Sequence, residues 1–474
     1  MIGTTVGFLT GMLPGLSAVM AMSLLVGFTF IVPPEQGLAL LISVYVGAIS
    51  SGGVTAILLN IPGTPAAAAT IMDGFPLTKQ GKAHEALGAA FSGSLIGEIL
   101  GEFFTLLLLP LVAIVALMLG DWEIFLIALV GLTLAGALSG KNPLKGWITA
   151  LLGVAIAMVG MEAIWGYPRF GYTTELVRGF GFVPALIGLF GLSEVLTVLR
   201  HKIPYKIEAQ VGRVTFNIGL VKEKFGTIIR STLIGVGTGI VPGIGESAAP
   251  WLAYDMARRR SKNKEEFGKG SLEGVLAAET ANNATSGGAL IPALVFGIPG
   301  SGPTAILIAA LFMHNIRPGP LLMIEWPGLV AEIVVLFWLS AISTRVMAIL
   351  LSPYFIKILS SPREILLPIA ASLGILGAWA AGFTRFDVYA MVAFGIVGYL
   401  FRQREFPLAP MVLGILVGGV LDTSLRRALI THSADFGAMF MRPAGLILLA
   451  VLVFAIVANL RSFAKDRKES LSEE

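Results

Sequence analysis

The 474-residue sequence contains no cysteine, which excludes disulfides and thiolate metal sites. Charge is nearly as scarce. Asp, Glu, Lys and Arg supply 13% of the residues and hydrophobic types 55%, too little charge to clothe a soluble protein of this size. With a mean hydropathy of +0.85, the chain reads as an all-α polytopic membrane protein. Apolar runs counted at about 20 residues per span predict roughly 10–12 crossings. Histidine is limited to His84, His201, His314 and His432, each solitary, so no transition-metal site is expected. Neither a Walker A sequence nor an HExxH helix is present, which removes the common ATP-hydrolysing and metalloprotease readings. The pI near 9.2 comes from basic loops, which the positive-inside rule accounts for without a nucleic-acid partner.

Glycine and proline, by contrast, are abundant at 57 and 25 residues, and most fall inside apolar runs, where they serve close helix packing or discontinuous helices. Two stretches match. Residues 50–65 and 279–304 each hold a Ser-Gly-Gly, an apolar run of about two to three turns, and an Ile-Pro-Gly followed by Ser or Thr and then a proline. In a bilayer an interrupted helix leaves N–H and C=O groups unpaired, which is tolerated around a cavity. Two interruptions at matching positions mark a transporter's binding site. Breaks are therefore expected at Gly52-Gly53 and Gly287-Gly288 as well as at each Ile-Pro-Gly. The substrate-binding set becomes Ser51, Gly52, Gly53, Pro62, Gly63, Thr64, Ser286, Gly287, Gly288, Pro299, Gly300 and Ser301. Thr64 with Pro65, and Gly302 with Pro303, read as cap and first residue of half-helices over 66–72 and 304–313.

The repetition extends further. Gly7, Thr10, Gly11, Pro14 and Gly15 recur at identical spacing as Gly235, Thr238, Gly239, Pro242 and Gly243. The chain divides accordingly into a first transmembrane repeat over 1–199, a basic cytoplasmic connector over 200–224, a second repeat with additional C-terminal spans over 225–460, and a charged tail over 461–474. Pro14-Gly15 and Pro242-Gly243 are expected to be hinges or re-entrant turns, and basic sequence on both sides of 225–257 favours a hairpin there. Residues leading into the second copy have no counterpart before the first, so further residues are expected ahead of Met1. Glu98 and Glu102 lie one turn apart on one helix face, with a protein-facing or interfacial role preferred over a paired-carboxylate site.

Several separated motifs carry a family resemblance: AILLNIPGTP over 56–65, DGFP over 73–76 with KQGKA over 79–83, Asn282-Asn283, GIPGS over 297–301 and RPGP over 317–320. Together they resemble the large permease subunit of the tripartite tricarboxylate transporters, the TctA family, over nearly the whole chain. The sequence departs from the family in Phe75, where tyrosine is common, and in lacking the family's residues before the first Leu-Pro-Gly. The resemblance implies a multi-pass secondary transporter of the bacterial inner membrane, a symporter and not an enzyme, with no organic cofactor. It implies two partners, a small four-helix membrane subunit and a periplasmic solute-binding protein that delivers a tricarboxylate or related carboxylate, and a Na⁺ or H⁺ gradient as driving force. Matched spacing leads us to expect two inverted repeats with broken or re-entrant helices, and analogy with other carboxylate carriers an elevator-like motion.

An anion held by either matching stretch finds no basic side chain nearby in sequence, since Lys and Arg are absent from 1–78 and from 270–316. Half-helix N-termini, the hydroxyls of Thr64 and Ser301 and a co-bound cation are left to hold it. Asn60, Glu279, Asn282 and Asn283 are the cation-coupling candidates, as oxygen donors for a hard cation; interhelical hydrogen bonding is the blander role for the asparagines. An integral-membrane enzyme is the alternative of another class, but it lacks a catalytic constellation: Tyr254-Asp255 is preceded by Gly-Ile-Gly-Glu over 243–246, not partnered by Gly-x-Gly-Asp. A passive anion channel is the remaining alternative.

Overall fold

The computed structural model describes residues 1–13, 16–62, 64–138, 142–200, 214–242, 245–359, 363–433 and 435–473. Helices dominate it. In chain order they are α1 (Ile2–Met12), α2 (Ala18–Val26), α3 (Pro34–Leu59), α4 (Ala68–Lys79), α5 (Ala83–Leu117), α6 (Asp121–Leu138) and α7 (Pro143–Ala157). There follow α8 (Phe182–Arg200), α9 (Phe225–Gly239), α10 (Gly245–Arg260), α11 (Leu272–Phe296), α12 (Gly302–Met313), α13 (Leu329–Leu351), α14 (Arg363–Gly382), α15 (Arg385–Gln403), α16 (Ala409–Thr431) and α17 (Pro443–Glu473). A short antiparallel pair, β1 (Gly160–Met161) with β2 (Pro168–Arg169), precedes α8. Arg169 fastens it to α16 through Asp422 at 2.8 Å.

Among the described residues five helical segments are long and apolar enough to span a bilayer, Pro34–Leu59, Ala83–Leu117, Phe182–Arg200, Leu329–Tyr354 and Ala409–Thr431, alongside six shorter apolar helices. The roughly 10–12 crossings expected are counted over apolar runs, several of them broken. Here runs are divided, α1 from α2 and α9 from α10, the second division falling at the turn that holds Pro242, since proline supplies no N–H to a continuing helix.

One order of helices occurs twice, from α1 to α5 and from α9 to α13: two helices, a long helix, a short helix and another long helix. The long helices α3 and α11 lie side by side and antiparallel, because Ser50 Oγ donates to Asn283 Oδ1 at 2.7 Å while Gly53 faces Glu279. α5 runs parallel to α11, its Gly93, Gly97 and Gly101 meeting Leu276, Thr280 and Ala284 in turn. Small residues are needed at such crossings. A methyl group at Gly7 of α1 would stand 2.2 Å from the Val44 carbonyl oxygen of α3, so the two backbones touch there and only glycine fits.

These contacts correct one expectation. α3 continues through Ser51, Gly52 and Gly53, and α11 through Ser286, Gly287 and Gly288, without a break. Inside a membrane-spanning core no water competes for the backbone bonds, so glycine pairs stay helical and serve as places of close approach. Nor do the two glycine pairs meet each other: Gly53 abuts Glu279, Gly287 abuts Gly101 of α5, and Gly288 abuts Val236 of α9. The interruptions lie instead after Asn60 and Gly297, both in the left-handed conformation that ends α3 and α11.

Lysines and arginines gather at the N-terminal end of α11. Gln80 Nε2 donates to the Lys269 carbonyl at 2.7 Å, Lys224 pairs with Glu273 at 3.1 Å, and Asp73 accepts the backbone N–H groups of Gly268 and Gly270 at 2.7 and 2.9 Å. The connector expected over 200–224 falls largely on 201–213, outside the described residues.

Candidate functional site

After each left-handed cap the chain folds back along the helix it has left, and a new helix starts alongside it. In the first turn Thr64 returns to the level of Gly52, where a Cβ would sit 3.1 Å from the Thr64 Oγ1. Thr64 Oγ1 accepts the Ala67 N–H at 3.3 Å, capping a short 3₁₀ turn (Pro65–Ala67) that leads into α4. Thr64 therefore caps as expected, although the helix runs on through Asp73-Gly74-Phe75-Pro76 to Lys79. In the second turn the cap is Ser301, one residue earlier than expected. It forms a reciprocal capping box with Thr304, the Ser301 N–H reaching Thr304 Oγ1 at 2.9 Å.

Both helix starts open on one cavity of about 400 Å³, and so do two more: α2, capped by Ser17, and α10, which begins at Gly245. Four helix N-termini, with the positive ends of their dipoles, thus border a single space. The remaining wall comes from α3 (Tyr45, Ile49), α6 (Ala135), α8 (Phe190, Glu194), α15 (Arg402) and α16 (Ala409, Val412, Leu413).

Charge in this cavity is paired sparsely. Ser17 Oγ donates to Glu194 Oε2 at 2.8 Å, and the same carboxylate oxygen lies 3.6 Å from Arg402. Arg402 Nε is buried without a hydrogen bond. Opposite, Tyr45 Oη donates to Glu246 Oε1 at 2.7 Å, and the Ser301 hydroxyl lies within reach of both groups. Arg402 overturns the expectation that no cationic side chain stands near these turns. It arrives from residues more than a hundred positions away in sequence, and no local spacing announces it.

The candidate residues therefore separate into three groups. Thr64, Pro299, Gly300 and Ser301 line the cavity. Ser51, Gly52, Gly53, Ser286, Gly287 and Gly288 lie within helices, buried at crossings. Pro62 is exposed in the first turn and Pro242 sits in the turn between α9 and α10, while Gly63, Pro14, Gly15 and Gly243 lie outside the described residues.

A second polar region runs between α11 and its neighbours. Glu279, fully buried, accepts Thr70 Oγ1 of α4 at 2.6 Å and Ser94 Oγ of α5 at 3.3 Å. Asn283 accepts Ser50 and donates to the Glu279 carbonyl at 3.0 Å. Further along, Ser286 Oγ donates to Glu98 Oε1 at 2.7 Å, and Glu102 follows one turn on. Of the four cation-coupling candidates, Glu279, Asn282 and Asn283 come together here and are buried. Asn60 does not; it caps α3, exposed. Glu98 and Glu102 belong to this region, and their one-turn spacing was the sequence signal for it.

Comparison with known proteins bears on the whole chain. The family described as "Tripartite tricarboxylate transporter TctA family" matches residues 1–413. Two proteins of Agrobacterium vitis are similar. One, described as "Uncharacterized 52.8 kDa protein in TAR-I ttuC' 3'region", is 32% identical over 479 aligned positions that cover all of this chain and 95% of that protein. The other, from the TAR-II ttuC' 3'region, is 32% identical over 237 positions, half of this chain and 98% of that protein. No solved structure matches.

Proposed function

We propose, because this chain belongs to the tripartite tricarboxylate transporter TctA family, that it is the large permease subunit of a binding-protein-dependent symporter that imports a tricarboxylate or related carboxylate. The observation that carries this reading is the convergence of four helix N-termini and Arg402 on one cavity. One N-terminus contributes on the order of 0.3–2 kcal/mol to holding an anion, so several acting together suit a substrate with more than one carboxylate. The cavity already accommodates carboxylates of its own. Glu194 sits on the Ser17 cap and beside Arg402, and a substrate carboxylate would compete with it there.

The antiparallel crossing of α3 and α11 supports an inverted arrangement of the two similar halves. The cavity lies between the turns that end those helices and a wall drawn from α6, α8, α15 and α16; in this reading the first group moves against the second. The basic end of α11 is the cytoplasmic side of the inner membrane. A small membrane subunit and a periplasmic binding protein complete the system, and Na⁺ or H⁺ drives it.

Arg402→Gln tests the site. A hydrogen bond to a charged partner is worth about 1.5–3 kcal/mol, so kcat/KM for citrate uptake into vesicles carrying the complete transporter should fall at least about tenfold while membrane levels of the chain stay unchanged. Uptake at the unmodified rate would place the substrate elsewhere.

A further inference from the structure

The buried carboxylates beside α11 have no part in the cavity just described, and they are poorly provided for. Glu98 and Glu102 are both fully buried in α5. Glu98 Oε2 and both oxygens of Glu102 lack any hydrogen-bond partner. Ser286 Oγ, which donates to Glu98, is also the hydroxyl that Glu102 faces, so two acids share one donor. On α11 Asn282, 1% exposed, stands beside the Glu279 carboxyl with neither amide atom in a hydrogen bond of normal geometry. An acid at membrane depth must be paired, protonated or cation-bound.

Among the described residues no ion pair reaches Glu98 or Glu102. The charged and titratable groups on the helices packed against α5 are Glu273 and Glu279 on α11, Asp73 and Lys79 on α4, Arg230 on α9, Glu332 and Arg345 on α13, and Glu35 and Tyr45 on α3; Lys79 lies over the Phe75 ring at the end of α4, and Lys222 and Glu223 stand in the short helix Ile218–Glu223, which also touches α5. Arg230 is bonded to Thr227. Arg345 lines a crevice with Ser50 and Ser94, one turn before Glu98, and makes no ion pair. Two adjacent carboxylates without a facing cation cannot both be ionised at low cost; a single proton between them relieves the repulsion and needs no extra space.

The geometry points to the Glu98–Glu102 pair as a proton-binding site, distinct from the substrate cavity, that takes up the coupling H⁺. This rests on the carrier reading above. Tyr45 links the two sites: it donates to Glu246 in the cavity and stands within electrostatic range of Glu98. The balance is one proton bound from the outer side as the anion binds, carried by the carboxyl pair, and released to the cytoplasm with the anion; no bond other than O–H is made or broken.

Two measurements test it. The complete transporter is reconstituted in proteoliposomes with citrate as probe, and Glu98→Gln, Glu102→Gln and the double variant are compared with the wild type. The variants should keep citrate counterflow at equal pH within about threefold and lose accumulation driven by a pH gradient by at least about tenfold. Accumulation by the double variant equal to wild type under that gradient, or wild-type accumulation that follows a Na⁺ gradient and ignores pH, overturns the proposal. Infrared difference spectroscopy of the purified chain across a pH titration should show a protonated-carboxyl band that titrates in the wild type and is missing in Glu102→Gln. A band identical in both overturns it as well. If the wild type moves neither citrate nor any other di- or tricarboxylate, the carrier reading fails on its own, and the infrared titration still decides the proton site.

Discussion

The cavity and the α5–α11 seam both border α3 and α11, yet they are made of different materials. The cavity is polar at its helix starts and turns and through a few side chains, Tyr45, Glu194, Glu246 and the distant Arg402, with apolar side chains on much of its wall. The seam is polar through side chains, with three glutamates, two asparagines and four serines and threonines inserted between helices that continue past them without a break. Backbone donors suit a ligand that comes and goes, because they hold an anion without presenting a group that must be neutralised when the anion leaves. Ionisable side chains suit a ligand as small as a proton, which changes their charge and occupies no volume.

Packing distinguishes the regions just as sharply, and the largest effect should come from testing it. A Cβ at Gly287, in the seam, would stand 2.5 Å from the Gly101 backbone, whereas at Gly302, on the cavity, its nearest neighbour is a Val19 methyl at 2.8 Å, the far end of a side chain. Gly287→Ala should lower stability by about 1–3 kcal/mol and take transport with it. Gly302→Ala should leave the unfolding midpoint of the purified protein unchanged. Equal melting shifts for the two would erase the distinction.

A smaller effect is expected at the caps. Thr64→Ala and Ser301→Ala each remove a capping hydroxyl worth about 1 kcal/mol, so each should raise the apparent KM about fivefold while the pH dependence of accumulation stays that of the wild type. A change in pH dependence with constant KM would move these hydroxyls from the cavity's function to the seam's.

The smallest change, and one of opposite sign, belongs to Glu194→Gln. The ion pair it abolishes with part-exposed Arg402 is worth about 0–1 kcal/mol. Freeing the arginine should lower KM by up to about fivefold in the same uptake assay; a raised KM would make Glu194 a partner of the substrate and not its competitor.

What could be read from the sequence follows from the range of the forces involved. The Ile-Pro-Gly turns, the Thr64 cap and the helices flanking Pro242 were legible because proline and hydroxyl capping act within three or four residues. The glycine pairs misled for the same reason: Gly52-Gly53 looks like a local break, but its meaning is set by Thr64 and Glu279 packing against it. Arg402 and Glu194 were invisible as site residues, since each reaches the cavity through long-range packing of α15 and α8. Glu98 and Glu102 were visible as a pair and undervalued, because the groups facing them belong to a helix some 180 residues later.

The position of α11 has a consequence for how the protein is made. Every residue from Glu273 to Val295 is buried, and α11 is not among the helices apolar enough to enter a bilayer unaided. Emerging from the ribosome alone, it would offer lipid two glutamates and two asparagines. The helices that bond Glu279 and Asn283, α3, α4 and α5, are all synthesised earlier. The order of the chain therefore builds the socket before the plug, and α11 enters the membrane by docking against protein. A fragment beginning at Phe225 should accordingly leave α11 uninserted and open to protease in membranes, and co-expression of residues 1–200 should protect it.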